Sequence, residues 1–491
     1  MGIVIGIVIV LAIAAFLAVL TCKSKHGDLF KWLLIAIFVT FCLTWIIPYG
    51  YFSNTTFAEY GMNRLGLTDI PTSLYYGAYF GLSTLIYLFI LGGFYGVLSK
   101  TKSYQALVKN IAKRLKGKEL LFMVITSSLL IVLSSFIRNT FAILVFVPFL
   151  ISILLNMKVD KLTTFAVTFG SILAGIVGCT YGTDGLYYIN HYMGTAISTG
   201  LSYRAILAAI AIVGYEALLV LRITKTKKKK TNEDSILEAD PYPVDDVKGK
   251  VSTWPMIVVF AILLVFVVLG YIGWDTNFNI LVFNKFHNWL TGLNIGEDFT
   301  LFKYILGTSA TGFGNFELTS LMVIILIMSV IVAFVEKVSF NDYLKNFGEG
   351  AKKMLKPVCL YVLVYTVFVA AYMSPFIPTI TNWAYGLTKK FNPFIATAVA
   401  FVTSIFHADL GYTGYVVGQF LNASYAENLS LIHTLYVSTY GIVQVLFPVS
   451  GLLMVGLSYL KIEYKSWFKY IWMFAVLMLV ALLILTTIVY Y

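Results

Sequence analysis

The chain has 491 residues, 59% of them apolar and only 12% charged, with a mean hydropathy of +0.86. Soluble domains carry about 25% charged residues, so a water-soluble enzyme, a nucleic-acid binder and a disordered scaffold are excluded despite a formal net charge of +12. The cysteines Cys22, Cys42, Cys179 and Cys359 lie in or beside apolar runs without CxxC or Cys/His spacing, which implies neither a disulfide framework nor a zinc site.

A helix needs about 20 apolar residues to cross the hydrocarbon core. Ten runs meet or approach this length: 2–21, 30–49, 73–98, 162–179, 201–221, 255–273, 317–335, 357–372, 431–459 and 467–490. The first follows Met1 with no basic residue before it and Lys23, Lys25 and Lys31 after it, the pattern of an uncleaved span with its N-terminus outside. Two more apolar stretches, 119–157 and 391–422, are broken near their middles by polar residues and read as re-entrant hairpins. With the N-terminus outside, 28 of the 35 Lys and Arg residues fall in cytoplasmic loops, as the positive-inside rule requires. The C-terminus is then also outside. Six remain on the opposite side, including Lys389 and Lys390, and Arg138 is left inside the membrane. Were the Lys389 and Lys390 pair cytoplasmic, 357–387 would itself be a hairpin.

The hydrophilic stretch 223–254, with Lys227 to Lys230 followed by six acids, reads as a solvated cytoplasmic linker. It separates a first membrane repeat, 1–222, from a second, 255–491. Each half holds three spans, a polar-tipped hairpin, an interrupted span and a closing span. Five crossings is an odd number, so the two halves are inverted, as in many secondary transporters. The expected fold is an all-α polytopic membrane protein with about ten spans and two hairpins.

The polar residues inside the apolar runs are the candidate site. Arg138 at the first tip costs at least ~2.5–3.5 kcal/mol to insert, and its planar fork matches a carboxylate. It binds an anionic substrate group, forms a structural pair with Asp409, Asp184 or Glu216, or snorkels outside from a full-length hairpin. Ser135, Asn139 and Thr140 could line the same cavity or serve as packing glue. The Gly-rich run 175–185 is expected to unwind. There Thr180, Thr183 and Asp184 supply oxygen ligands for sodium or a substrate ammonium, or else form an outer turn. At the second tip Asp409 and His407 could hold a proton, a cation or an amine, or simply satisfy each other. The break Phe447-Pro448-Val449-Ser450-Gly451 is a site or a plain kink. Glu216 reads as structural, paired with Arg222 or Lys225, and most aromatic residues read as interfacial belts and packing.

Several segments resemble the ion-transporter superfamily, in the branch of anaerobic four-carbon dicarboxylate carriers and YfcC-type basic amino acid antiporters. They are Thr44-Trp45-Ile46-Ile47-Pro48-Tyr49-Gly50, Gly92-Gly93-Phe94-Tyr95-Gly96-Val97-Leu98 with Lys116-Gly117-Lys118-Glu119, Gly350-Ala351-Lys352-Lys353-Met354-Leu355, and Leu457-Ser458-Tyr459 with Tyr464-Lys465-Ser466-Trp467-Phe468-Lys469-Tyr470. The similarity covers roughly residues 30–480. It implies a homodimer with a scaffold and a mobile transport part, two hairpins moving substrate in an elevator-like manner, and polar tips that hold carboxylates and sodium. The positions that resemble such tips are Arg138-Asn139-Thr140 and Pro448-Val449-Ser450. The span before Phe30 and the arginine at the tip depart from the family pattern.

The expectation is therefore a secondary transporter, symporter or antiporter, for a small carboxylate-bearing metabolite, an amino acid or a dicarboxylate. Arg138 binds the carboxylate, Asp409 the amine or coupling cation, and Ser135, Asn139, Thr140 and Ser450 complete the site. No cofactor is expected beyond a sodium ion or proton as coupling ion. No GxxxxGK[ST] run occurs, so the chain is not read as an ATPase. A channel, a lipid-linked-donor glycosyltransferase and a receptor are the other classes; the outer loops are too short, and their acids too scattered, to favour the enzyme.

Overall fold

The computed structural model describes residues 29–182, 184–226, 240–247, 249–295, 299–307, 309–388 and 390–491. The expected span 2–21, the run Lys227 to Lys230, Thr183, Lys389 and the side chain of Asp184 lie outside the described residues. Among those described, nine helices are long and apolar enough to cross a membrane. Strands among the described residues are confined to two short antiparallel pairs, Gly50–Ser53 with Thr56–Glu59 (register Gly50 to Glu59) and Asn294–Ile295 with Phe299–Thr300. A lipid-embedded chain satisfies its backbone inside each segment, and long helices do so. This is a polytopic membrane protein.

The helices pack in two groups. In one, Asp69–Leu98 lies against Leu318–Val335, Phe340–Lys352 and Leu355–Met373, and Leu29–Ile46 covers the last of these. Glycine permits the tightest crossing: a Cβ on Gly350 would stand 2.3 Å from the Gly92 carbonyl oxygen, so backbones meet where side chains cannot fit. The other group holds the hairpins. Glu119–Phe136 packs on Ser171–Val177 and Leu201–Thr226, Pro393–Phe406 on Leu429–Leu446, and Leu410–Ser424 on Asp184–Met193. Leu355–Met373 joins the groups by packing on Gly451–Tyr459.

At both expected hairpins the chain runs helix, tip, helix. The first runs through Glu119–Phe136, a tip at 137–139, a 3-10 turn Thr140–Val145 and Val147–Asn156. Its first arm has 18 residues, about 27 Å at ~1.5 Å per residue. Ser134 and Ser135 stay helical because their hydroxyls donate to the carbonyls of Ile131 and Gly178 (3.1 and 2.7 Å). The second hairpin runs through Pro393–Phe406, a tip at 407–409 and Leu410–Ser424. Each is followed by a broken helix. Lys161–Phe165, a π stretch Ala166–Gly170 and Ser171–Val177 end at Gly178, and Leu429–Leu446 stops at Phe447 before Gly451–Tyr459.

Four expectations need correction. The connection between Tyr271 and Leu318 is not a short loop, since it holds the helices Trp274–Phe278, Val282–Thr291 and Leu301–Leu306. The alternative hairpin at 357–387 does not form: Leu355–Met373 is one helix, and Ile377–Tyr385 sits beside the Gly50–Ser53 strand. Glu216 takes a hydrogen bond from Ser128 (3.1 Å), while Arg222 donates to the Lys469 carbonyl. The linker is not solvated throughout. Asp240 and Tyr242 are buried, with Ser152 and the Tyr242 N–H donating to the Asp240 carboxyl (2.8 and 2.9 Å). The Tyr242 hydroxyl donates to the Gly350 carbonyl, and Lys353 donates to the Pro241 carbonyl.

Burial pushes the Asp240 carboxyl up to about 6, against the pull of its hydrogen bonds and of Lys353. An unfolded aspartate titrates near 3.9, so between these values the folded chain binds more proton, and the stabilisation it gains at low pH is lost as pH rises through about 6. Hydrogen exchange in a peptide covering 240–247, corrected for intrinsic rates, should gain protection from about pH 7 to about pH 5 in the wild type and stay level in Asp240→Asn.

Candidate functional site

The site is built from chain reversals. Glu119–Phe136 ends at Ile137, which is extended (ψ 135°), and the Arg138 N–H donates to the Tyr271 carbonyl (3.0 Å). Asn139 then accepts from the Phe141 N–H (3.0 Å) and so caps the 3-10 turn. The Arg138 guanidinium donates through Nη1 to Asn315 Oδ1 (2.8 Å) and lies 5.2 Å from the centre of the Tyr187 ring. Asn315 is held in turn: its amide donates to Asp275 (3.3 Å), which also accepts from Asn284 (2.8 Å). Arg138 is half-buried and lines a cavity, and the residue its backbone N–H meets is the last of the Trp254–Tyr271 helix.

At the second tip Asp409 caps Leu410–Ser424, with Oδ1 accepting from the Gly411 N–H (2.8 Å). It shares a cavity with Tyr361, Tyr365 and Tyr440. His407 is buried, bonds Thr413 Oγ1 through Nδ1 (3.1 Å) and meets the Tyr412 ring edge-on at 4.7 Å. It stands apart from the cavity lining and does not pair with Asp409.

The two tips meet at a cavity of about 160 Å³. Drug-sized pockets run to about 300–1,000 Å³, so this one fits a small solute. Arg138, Asn139, Thr140 and Asp409 line it, together with Thr84, Tyr361, Tyr365, Tyr440, Gln444, Gly185 and Gly451. Three α-helices and the 3-10 turn begin at this space: Asp184–Met193, Leu410–Ser424, Gly451–Tyr459 and Thr140–Val145. The dipoles of these helix N-termini create positive potential there, which adds to the guanidinium and favours an anion.

Ser135 and Thr180 have a different place. The Ser135 hydroxyl lies 2.9 Å from Thr180 Oγ1, and the Ser135 carbonyl accepts from the N–H groups of Thr180, Tyr181 and Gly182 (3.1, 3.2 and 2.8 Å). The glycine-rich run does unwind at Gly178, but it is laced to the hairpin arm instead of presenting these oxygens to the cavity. Ser450 is buried and caps Gly451–Tyr459, its Oγ accepting from the Leu453 N–H (3.3 Å). Its neighbour Gly451 lines the cavity, because a Cβ there would strike the Tyr361 ring at 2.6 Å. Tyr361, Tyr365, Tyr440 and Gln444 were not expected. Their one signal is the i, i+4 spacing that puts each pair on one helix face, Tyr361 with Tyr365 and Tyr440 with Gln444. Among the described residues no group of three His, Cys, Asp or Glu side chains is placed to hold a metal ion.

The sequence model of the C4-dicarboxylate anaerobic carriers, DcuC, matches residues 1–491. The chain belongs to this family. The family is described as one of carriers, and the match includes the residues before Phe30. A curated Haemophilus influenzae protein described only as uncharacterized is 25% identical over 167 residues, 33% of this chain and 32% of its own length, so the chain spans about a third of that relative. Two solved structures align over nearly the whole chain. Neisseria gonorrhoeae MtrF, described as illuminating a class of antimetabolite efflux pumps, aligns at 12% identity over 96% of this chain and 97% of its own, with a TM-score of 0.39. The Alcanivorax borkumensis YdaH transporter aligns at 10% identity over 94% and 97%, also at 0.39. At that score the alignments do not establish a shared arrangement of helices.

Gly182 is a crowded position beside this DcuC-family site. A Cβ there would stand 2.7–2.9 Å from the carbonyl oxygens of Ile137, Ser135 and Ser134, backbone atoms that cannot swing aside. Gly182→Ala is therefore expected to cost about 1–3 kcal/mol, read as a lowered midpoint in thermal unfolding of the detergent-purified protein; Gly117→Ala, where nothing lies within 4 Å but φ is +85°, separates crowding from backbone strain.

Proposed function

We propose that the protein is a secondary active transporter of a small dicarboxylate, coupled to a cation. The observation that carries this reading is the convergence of Arg138, three α-helix N-termini and Asp409 on one small cavity. A carboxylate sits against the Arg138 fork and the N–H groups at Asn139 and Thr140. Asp409 holds the coupling sodium ion or proton, so that substrate charge and cation charge offset each other in a medium where an unpaired ion is costly. Substrate binding thereby depends on cation binding, as a symporter needs; an antiporter would use the same groups with a different exchange partner.

Both halves repeat the order hairpin, broken helix, closing helix, which supports an inverted-repeat design with the site between repeats. The separate packing of hairpin helices and Asp69–Leu98 helices supports an elevator-like movement of the hairpin group against the other. The cation bias of the loops supports a cytoplasmic linker and outer termini in the cell membrane, and the family resemblance supports a homodimer.

A second reading is favoured by one feature. An acid and a guanidinium in one cavity also fit an amino acid, with its carboxylate at Arg138 and its ammonium at Asp409 in place of a coupling ion. Thermal unfolding of purified protein with four-carbon dicarboxylates or amino acids, each with and without sodium, distinguishes the two. A ligand at about 100 times its Kd adds about 2.7 kcal/mol to native-state stability. Sodium-dependent or pH-dependent stabilisation by a dicarboxylate supports the first reading, and sodium-independent stabilisation by an amino acid the second. In either case Arg138→Gln should abolish the ligand shift with the unliganded midpoint kept, and an undiminished shift would exclude Arg138 as the carboxylate site. Asp409→Asn is expected to keep dicarboxylate binding and lose its cation dependence, measured by the same shifts.

A further inference from the structure

An apolar cleft of about 540 Å³ lies between Glu119–Phe136 and Trp254–Tyr271, apart from the transport cavity. The Trp254–Tyr271 helix is bonded to the hairpin tip through the Tyr271 carbonyl and packs on Lys102–Arg114 at its other end. Between these two contacts the cleft opens, with Leu121, Ile125 and Leu129 on one wall, Ala261 and Leu264 on the other, and the stacked rings of Phe149 and Phe260 (4.2 Å) in its floor.

Two properties point to one kind of occupant. From Lys118 to Leu133 the helical wall runs about 22 Å at ~1.5 Å per residue, longer than the ~15 Å of one leaflet of a ~30 Å core. Polarity is confined to one end: Thr126 is the only hydroxyl in the lining, whereas Lys118 stands at the mouth with Lys113, Arg114 and Lys116 exposed beside it. A hydrocarbon slot long enough to take an acyl chain through a whole leaflet, opening on clustered cations, matches a lipid with an anionic head. We propose that this cleft binds one acyl chain of an anionic phospholipid, with the phosphate against Lys116 and Lys118. The bound chain fills the gap between the hairpin that carries Arg138 and the helix to which its tip is bonded, so occupancy bears on the hairpin's freedom to move. The proposal does not depend on which solute is carried.

Native mass spectrometry of the full chain, delipidated and then incubated with phosphatidylglycerol or phosphatidylcholine of the same acyl composition, tests it. One phosphatidylglycerol should be retained in preference to phosphatidylcholine, and inorganic phosphate should not compete. The exposed double variant Lys116→Glu/Lys118→Glu should lose that preference, at roughly fivefold for each cation removed. Ala261→Phe, which fills the slot, should lower retention of both lipids while leaving the ligand shift at the transport cavity unchanged. Equal retention of the two lipids by the wild type, displacement by phosphate, or wild-type retention in both variants would overturn it.

Discussion

Helices that stop inside a bilayer leave unpaired backbone groups where no water can reach them, and this constraint organises the molecule. Each interruption has its own remedy. The Ser135 carbonyl collects the N–H groups of the unwound Thr180, Tyr181 and Gly182, and its hydroxyl meets Thr180. Asn139, Asp409 and Ser450 cap the segments that restart the chain. Side-chain oxygens do the work that solvent does at the end of a surface helix. The capped N-termini face a common space, and their dipoles favour an anion there.

Charge is arranged around that space in the same economical way. The Arg138 guanidinium would cost at least ~2.5–3.5 kcal/mol alone in the core. It is steadied on one side by Asn315, itself held by Asp275, and on the other it lines the cavity. Asp409 presents the opposite sign from the second hairpin, partly satisfied by the Gly411 N–H. The two charges thus arrive on separate elements, and any change in how the hairpins sit relative to one another alters the field that a solute meets.

The charged linker shows that a polar stretch is not thereby outside the fold. Its residues 240–242 reach into the crossing where Gly92 and Gly96 meet Gly350, with the Tyr242 hydroxyl on the Gly350 carbonyl and Asp240 on Ser152 of the Val147–Asn156 helix. The link therefore ties the hairpin group to the Asp69–Leu98 group at a titratable carboxyl. Composition alone cannot distinguish a solvated tail from a strand of chain that inserts two side chains.

Hydropathy located every long helix among the described residues to within a few residues, because the energy of placing apolar side chains in lipid depends on local composition. It also located the helix breaks at 137–139 and 407–409, since Arg138, Asn139, Asp409 and His407 interrupt otherwise apolar runs. What it could not assign was direction. Thr180 and Ser135 look equal to Asn139 and Thr140 as ligands in the sequence, yet the first two turn toward each other while the latter two face the cavity. Tyr361, Tyr365, Tyr440 and Gln444 looked like ordinary packing among 33 tyrosines and became lining because their helices cross at the tips. The sequence by itself determined the membrane class, the spans and the places where polar groups enter the bilayer, because those follow from short-range transfer energies. Only the tertiary structure decided which polar groups share a cavity, because that depends on how residues hundreds of positions apart are brought face to face by packing.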